Sequence, residues 1–158
     1  MKRLNKMSQY YESIITLNIF FVFYRERVFA VNSEDGVGGN VFIIDRSNGH
    51  LIQKFHQLHS YGILGVRIFE NSILATADLG GFIKFHQINE GTNETNAINV
   101  SIILKHEERA YQRPDGYGFT HLDNDGDKLV SGSGKGEVVA WDFRSNKKLY
   151  MVDSKQVI

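Results

Sequence analysis

The 158-residue chain has no cysteine, a single proline (Pro114) and no net charge. Without cysteine there are no disulfides and no thiolate metal sites, which fits an address inside the cell, cytoplasmic or nuclear. Lys+Arg and Asp+Glu balance at 18 each, so no excess positive field marks a nucleic acid or an anionic membrane as the partner. No apolar run reaches the roughly 20 residues that a membrane helix needs. The longest run, 14–24, follows Lys2, Arg3 and Lys6 in the order of a signal peptide. Arg25, Glu26 and Arg27 stand where small residues would precede a cleavage site, and the run reads better as a β-strand. Helical periodicity is missing too, since no stretch keeps apolar residues at i, i+3, i+4 and i+7 over three turns.

What the chain does have is short β-branched and aromatic segments bounded by Gly, Asn and Asp, the pattern of strands and tight turns. It also repeats. GEVVAWD at 136–142 lies over GFIKFHQ at 81–87 at an offset of 55, and over GNVFIID at 39–45 after a further 42. Leu129, Val130 and Ser131 lie over Leu74, Ala75 and Thr76 at the same 55, and Phe29 lies over Leu74 at 45. A preceding strand is expected in each copy, at 17–23, 63–69 and 117–122, and an outermost one at 51–55, 99–104 and 147–152. The polar stretch 88–96 and the charged stretch 105–116 read as irregular surface insertions, which cost little closure entropy.

The stretch KLVSGSGKGEVVAWDF at 128–143, with its Ser-Gly-Ser, tight turn and Trp-Asp ending, resembles a WD repeat, the blade unit of a β-propeller. The resemblance implies an all-β fold: a partial β-propeller of three four-stranded antiparallel WD-like blades in an open arc. It would occupy 14–158, with blades near 14–56, 57–104 and 105–152 and a tail at 1–13. Closed propellers typically have about 4–8 blades. Three therefore imply a fragment or shortened paralogue of a larger propeller, completion by another chain, or self-association. The role implied is a non-catalytic scaffold or adaptor for other proteins. The compact turns are most similar to the WD domains of F-box proteins, which makes the substrate-receptor part of a ubiquitin ligase an alternative. A propeller enzyme or small-ligand binder is the reading from another class, and would need polar groups converging on a central channel.

In the family a His, a Ser or Thr, an acid in the following turn and a Trp often share hydrogen bonds inside one blade. The resemblance places His59 and Thr76 in that network, with His86 at the Trp position and Gly80 at the acid's. In the last blade Ser131 and Trp141 match, and Lys135 stands in the acid's place. These roles are structural. Tyr61, Tyr111, Arg113 and Lys135 are the candidate partner contacts on the loop rim, because Tyr and Arg bury much area while keeping a polar handle.

Other motifs dissolve on inspection. GSGKG at 132–136 lacks the first glycine of a phosphate loop and leads into a strand, so it is a hairpin turn. Asp123, Asp125 and Asp127 lack the sixth-position glycine and the closing Glu of a calcium loop. His56 and His59 have no third metal ligand close in sequence. No catalytic residue, cofactor or metal is expected.

Overall fold

The computed structural model describes residues 20–32, 38–69, 72–92, 94, 98–109, 119–125, 128–133, 136–142, 145 and 147–153. They form twelve strands and, among the described residues, no helix. The first sheet is β1 (Phe20–Tyr24), β2 (Arg27–Val31), β3 (Gly39–Asp45) and β4 (Leu51–His59), paired in that order. The second is β5 (Ile63–Phe69), β6 (Ile73–Asp78), β7 (Phe82–Thr92) and β8 (Ile98–Arg109). The third is β9 (Phe119–Asp125), β10 (Lys128–Ser133), β11 (Glu137–Asp142) and β12 (Lys147–Asp153). Every pairing is antiparallel between neighbours in sequence, as short turns dictate.

The sheets stack like blades. β5 touches β1 on one side and β9 on the other, so the first strands stand side by side. Between the first and second sheets, Phe29, Val31, Val41 and Ile43 meet Val66, Leu74, Ile88 and Val100. Between the second and third, Phe69, Ala75, Ala77, Ile83 and Phe85 meet Leu122, Leu129, Val139 and Trp141. The middle sheet is thus covered on both faces, which is why all six residues of β6 are buried. β1 alternates between half-buried and exposed instead, because among the described residues only one face of the first sheet packs on another sheet.

The junction between the second and third strands repeats in chemistry. Gly38, Gly81 and Gly136 all take φ between 81° and 86°, a left-handed backbone that only glycine adopts without strain. A side-chain oxygen at the end of the preceding strand then accepts the backbone N–H that opens the next one. Asp78 Oδ1 takes Phe82 N–H at 2.9 Å, Ser133 Oγ takes Glu137 N–H at 3.2 Å, and Asn32 Oδ1 takes Asn40 N–H at 3.2 Å. This fixes the alignment of the copies. Asn32 matches Asp78, so Phe29 matches Ala75 rather than Leu74, and Asn40 matches Phe82, which keeps Gly39 opposite Gly81 and sets the left-handed Gly38 one residue earlier.

Three expected stretches differ. Residues 88–96 are no simple loop, because β7 continues to Thr92 and pairs with β8 from Ile98. The stretch expected to be irregular from residue 105 stays in strand to Arg109. Asp123 and Asp125 belong to β9 rather than to the turn after it. Residues 17–19 and 117–118 of the expected first strands lie outside the described residues.

Candidate functional site

The polar centre of the chain lies where the end of β4 passes over β6. His59, the last residue of β4, has no solvent exposure, and its two ring nitrogens reach two different strand-β6 side chains. Nδ1 lies 2.8 Å from Asp78 Oδ2 and Nε2 lies 2.7 Å from Thr76 Oγ1. Burial lowers the His59 pKa below its ordinary value, against the opposing pull of Asp78, so the ring is neutral at pH 7. The one arrangement that satisfies both bonds has Nδ1–H donating to the Asp78 carboxylate and the Thr76 hydroxyl donating to Nε2. Asp78 meanwhile holds the Phe82 N–H with its other oxygen. The result is a closed relay from the first sheet to the β6–β7 turn.

Asp78 is the correction to the sequence reading, which put Gly80 in the acid's place. The acid comes two residues earlier, on the last residue of β6 rather than in the turn. Gly80 serves close packing instead, since a Cβ there would stand 2.4 Å from the Tyr61 ring. Tyr61, on the short β4–β5 connection, lies against this turn and is 43% exposed, which leaves much of its ring at the surface. Tyr111, Arg113 and Lys135 lie outside the described residues.

His86 takes the Trp position and is buried, with Nδ1 unpartnered. Burial, then the neighbouring His59 and Lys84, lower its pKa to about 4. Lys84, which the sequence reading passed over, crosses between the sheets, its Nζ donating to Leu58 O at 3.0 Å and pairing with Glu107 at 2.9 Å. In the third sheet the other half of the pattern is present. Trp141 Nε1 donates to Ser131 Oγ at 3.2 Å, and Ser131 Oγ to Val139 O at 3.4 Å, both residues buried. Asp-His-Thr contacts of this kind are those of a nucleophile relay. Here Thr76 has no exposure at all, so in this conformation its hydroxyl meets no substrate and the relay fastens strands together. Among the described residues no group of three His, Asp or Glu side chains is placed to hold a metal ion.

Several large apolar side chains stay exposed, Ile103 and Leu104 on β8 among them. On the first sheet Phe21 and Phe23 meet edge to face at 5.5 Å and are about half exposed. On the third, Val130 and Val138 are exposed. No helix among the described residues is long and apolar enough to cross a membrane.

No family model matches the sequence, and no curated protein matches it. Solved structures do. The β-propeller domain of Cps50 (Swd1) from Myceliophteria thermophila superposes with a TM-score of 0.63 at 15% identity, over 85% of this chain and 40% of that one. Sqt1 from Chaetomium thermophilum superposes with a TM-score of 0.62 at 13% identity, over 82% of this chain and 33% of that one. The chain thus spans well under half the length of either neighbour. The likeness is one of fold: three four-stranded blades of a β-propeller.

Proposed function

We propose that the chain is a non-catalytic protein-interaction module, a scaffold or adaptor that works inside the cell in the cytoplasm or nucleus. The observation that carries the reading is a buried, mutually satisfied polar centre together with apolar side chains left exposed among the described residues. Phe21 and Phe23 on the first sheet and Val130 and Val138 on the third are exposed. Exposed contiguous apolar surface on a soluble fold marks a contact site. The polar groups that are brought together, His59, Thr76 and Asp78, are buried and mutually satisfied, which favours a frame over a reactive centre. On this reading the rim around Tyr61, with Tyr111, Arg113 and Lys135, supplies selectivity, and proteins rather than nucleic acids or membranes are the partners.

Affinity capture followed by quantitative mass spectrometry tests it, with wild type compared against Tyr61→Ala and a Tyr111→Ala/Arg113→Ala variant of equal foldedness. Partners enriched by wild type and lost from a rim variant support the reading. Identical enrichment for all three proteins removes the rim from it. A ubiquitin-ligase subunit among the lost partners would select the substrate-receptor form of the proposal.

A further inference from the structure

We propose that acid opens the seam between the first and second sheets through protonation of His86, while the seam between the second and third sheets stays shut. The device does not depend on which partner the chain takes.

Among the described residues the buried ionisable side chains are Arg27, His59, Asp78 and His86, and all four stand on the first seam. Alternation along the strands puts three of them there. Arg27 shares the face of Phe29, Asp78 and Thr76 share that of Leu74, and Lys84 and His86 share that of Ile88. Phe29, Leu74 and Ile88 all belong to the core between these two sheets. His59 reaches across from the end of β4 to Thr76 and Asp78. The second seam differs. Its buried Ser131 and Ser133, on the face of Leu129, carry no titrating group. Its Arg67–Asp123 pair lies at the surface, with the Asp123 side chain 71% exposed. His106, which stacks on Phe85, is 30% exposed and has Glu108 3.5 Å from Nε2 to receive a charge.

His86 has no such neighbour. Its Nδ1 is buried without a hydrogen-bond partner, and the residue is 2% exposed. The charged and titratable groups around it are already committed. On β7, Lys84 donates to Leu58 O and pairs with Glu107 of β8 at 2.9 Å. On β6, Asp78 holds His59 with one oxygen and the Phe82 N–H with the other. From β4 comes His59, bonded at both ring nitrogens. Directly opposite His86 stand only Leu74 on β6 and Leu104 on β8. A proton on His86 therefore makes a buried cation beside Lys84 and His59 with no free carboxylate, which is costly. Opening the seam removes that cost by giving the ring water. Burial lowers the pKa of His86 from 6.5 to about 4, so opening takes up a proton between those values and becomes more favourable as pH falls through that window. His59, whose charged form burial also disfavours, acts in the same direction. The cover over His86 is thin as well, because Leu104 is 50% exposed and the ladder shifts register beside it, between Phe85 and His86.

Hydrogen exchange on the 158-residue chain, read by NMR from pH 7 to pH 4.5 and corrected for the intrinsic rate at each pH, tests this. The reporters are the Ile63 N–H, which donates across the seam to Asn32 O at 3.2 Å, and the Phe82 N–H, held by Asp78 of the relay. Their protection should fall about tenfold per pH unit below pH 6.5 for each proton taken up. Protection across β10 and β11 should hold. So should the emission of Trp141, the chain's single tryptophan, which sits in the core of the second seam. His86→Phe should reduce the fall at the reporters to the part that His59 contributes. Where that variant does not fold, His86→Gln takes its place. Reporter protection that does not change with pH, a fall of equal size at both seams, or an unaltered fall in the His86 variant would each overturn the proposal.

Discussion

His59 Nδ1 stands 2.8 Å from Asp78 Oδ2, and the pair joins the last residue of one sheet to the inner edge of a turn in the next. Neither side chain has any appreciable exposure. With the Lys84 Nζ to Leu58 O bond, the pair holds the first two blades in register by something other than apolar packing.

His59→Ala would leave the buried Asp78 carboxylate with only the Phe82 N–H, and losing a hydrogen bond to a buried charged acceptor costs about 1.5–3 kcal/mol. Thr76→Val removes only a neutral hydrogen bond, at about 1 kcal/mol. Urea midpoints for wild type and both variants should fall in that order. Equal midpoints for wild type and His59→Ala would mean that the relay contributes nothing to stability.

Trp141 fills the core between the second and third sheets at 3% exposure, so truncation leaves a cavity. Trp141→Ala should lower stability by about 3–5 kcal/mol. Trp141→Phe keeps most of the volume and should lose about 1 kcal/mol with the Ser131 hydrogen bond. The same denaturant titration checks both, and a midpoint that does not move in Trp141→Ala would place the ring at the surface.

Gly65 on β5 faces Leu122 on β9 so closely that a Cβ there would meet Leu122 Cγ at 2.7 Å and Cβ at 3.0 Å. Leu122 is fully buried and those atoms lie near its backbone, so the clash is relieved only by moving β9. Gly65→Ala should destabilise by about 1–3 kcal/mol, the range for an overpacked core. Its loss should shrink in the combined variant Gly65→Ala/Leu122→Ala, and thermal melts of the single and double variants decide whether the contact is the cause.

The fold was legible because the copies agree where burial is strong. FIKF, VFII and VVAW all sit at third strands, the first with both faces covered and the other two with one face packed, and hydrophobic pattern reports burial. It reports hydrogen bonding poorly. Glu90, Gly91 and Thr92 pair with β8 but are exposed beyond the core, and their polar composition reads as a loop. The acid of the relay was misplaced for a related reason. An alignment anchored on turn glycines puts Gly80 opposite Lys135, whereas the shared act in the three turns is performed by Asp78, Ser133 and Asn32, three different residue types with one accepting oxygen in common. His59 and Thr76 were findable from their resemblance to a family pattern. Lys84 was not, since a lysine inside a strand looks like a solvated one until its chain is seen crossing to Leu58.

The pH dependence of stability should be set largely by His86. Its pKa falls from 6.5 to about 4 on folding, chiefly through burial, so the unfolded chain binds a proton more tightly than the folded one. Above pH 6.5 neither state is protonated and this group costs nothing. As pH falls from 6.5 towards 4 the unfolded state gains protons first, and stability drops by about 1.4 kcal/mol per pH unit, about 3 kcal/mol in all. Below about pH 4 the loss from this group is complete. His59, also shifted downward by burial, acts in the same direction. His86→Phe removes the ionisable ring and its unpartnered Nδ1 while keeping an aromatic in the gap. Urea midpoints at pH 7.5 and pH 4.5 should therefore differ much less in His86→Phe than in wild type, and an equal difference in the two proteins would show that the ring does not titrate in this window.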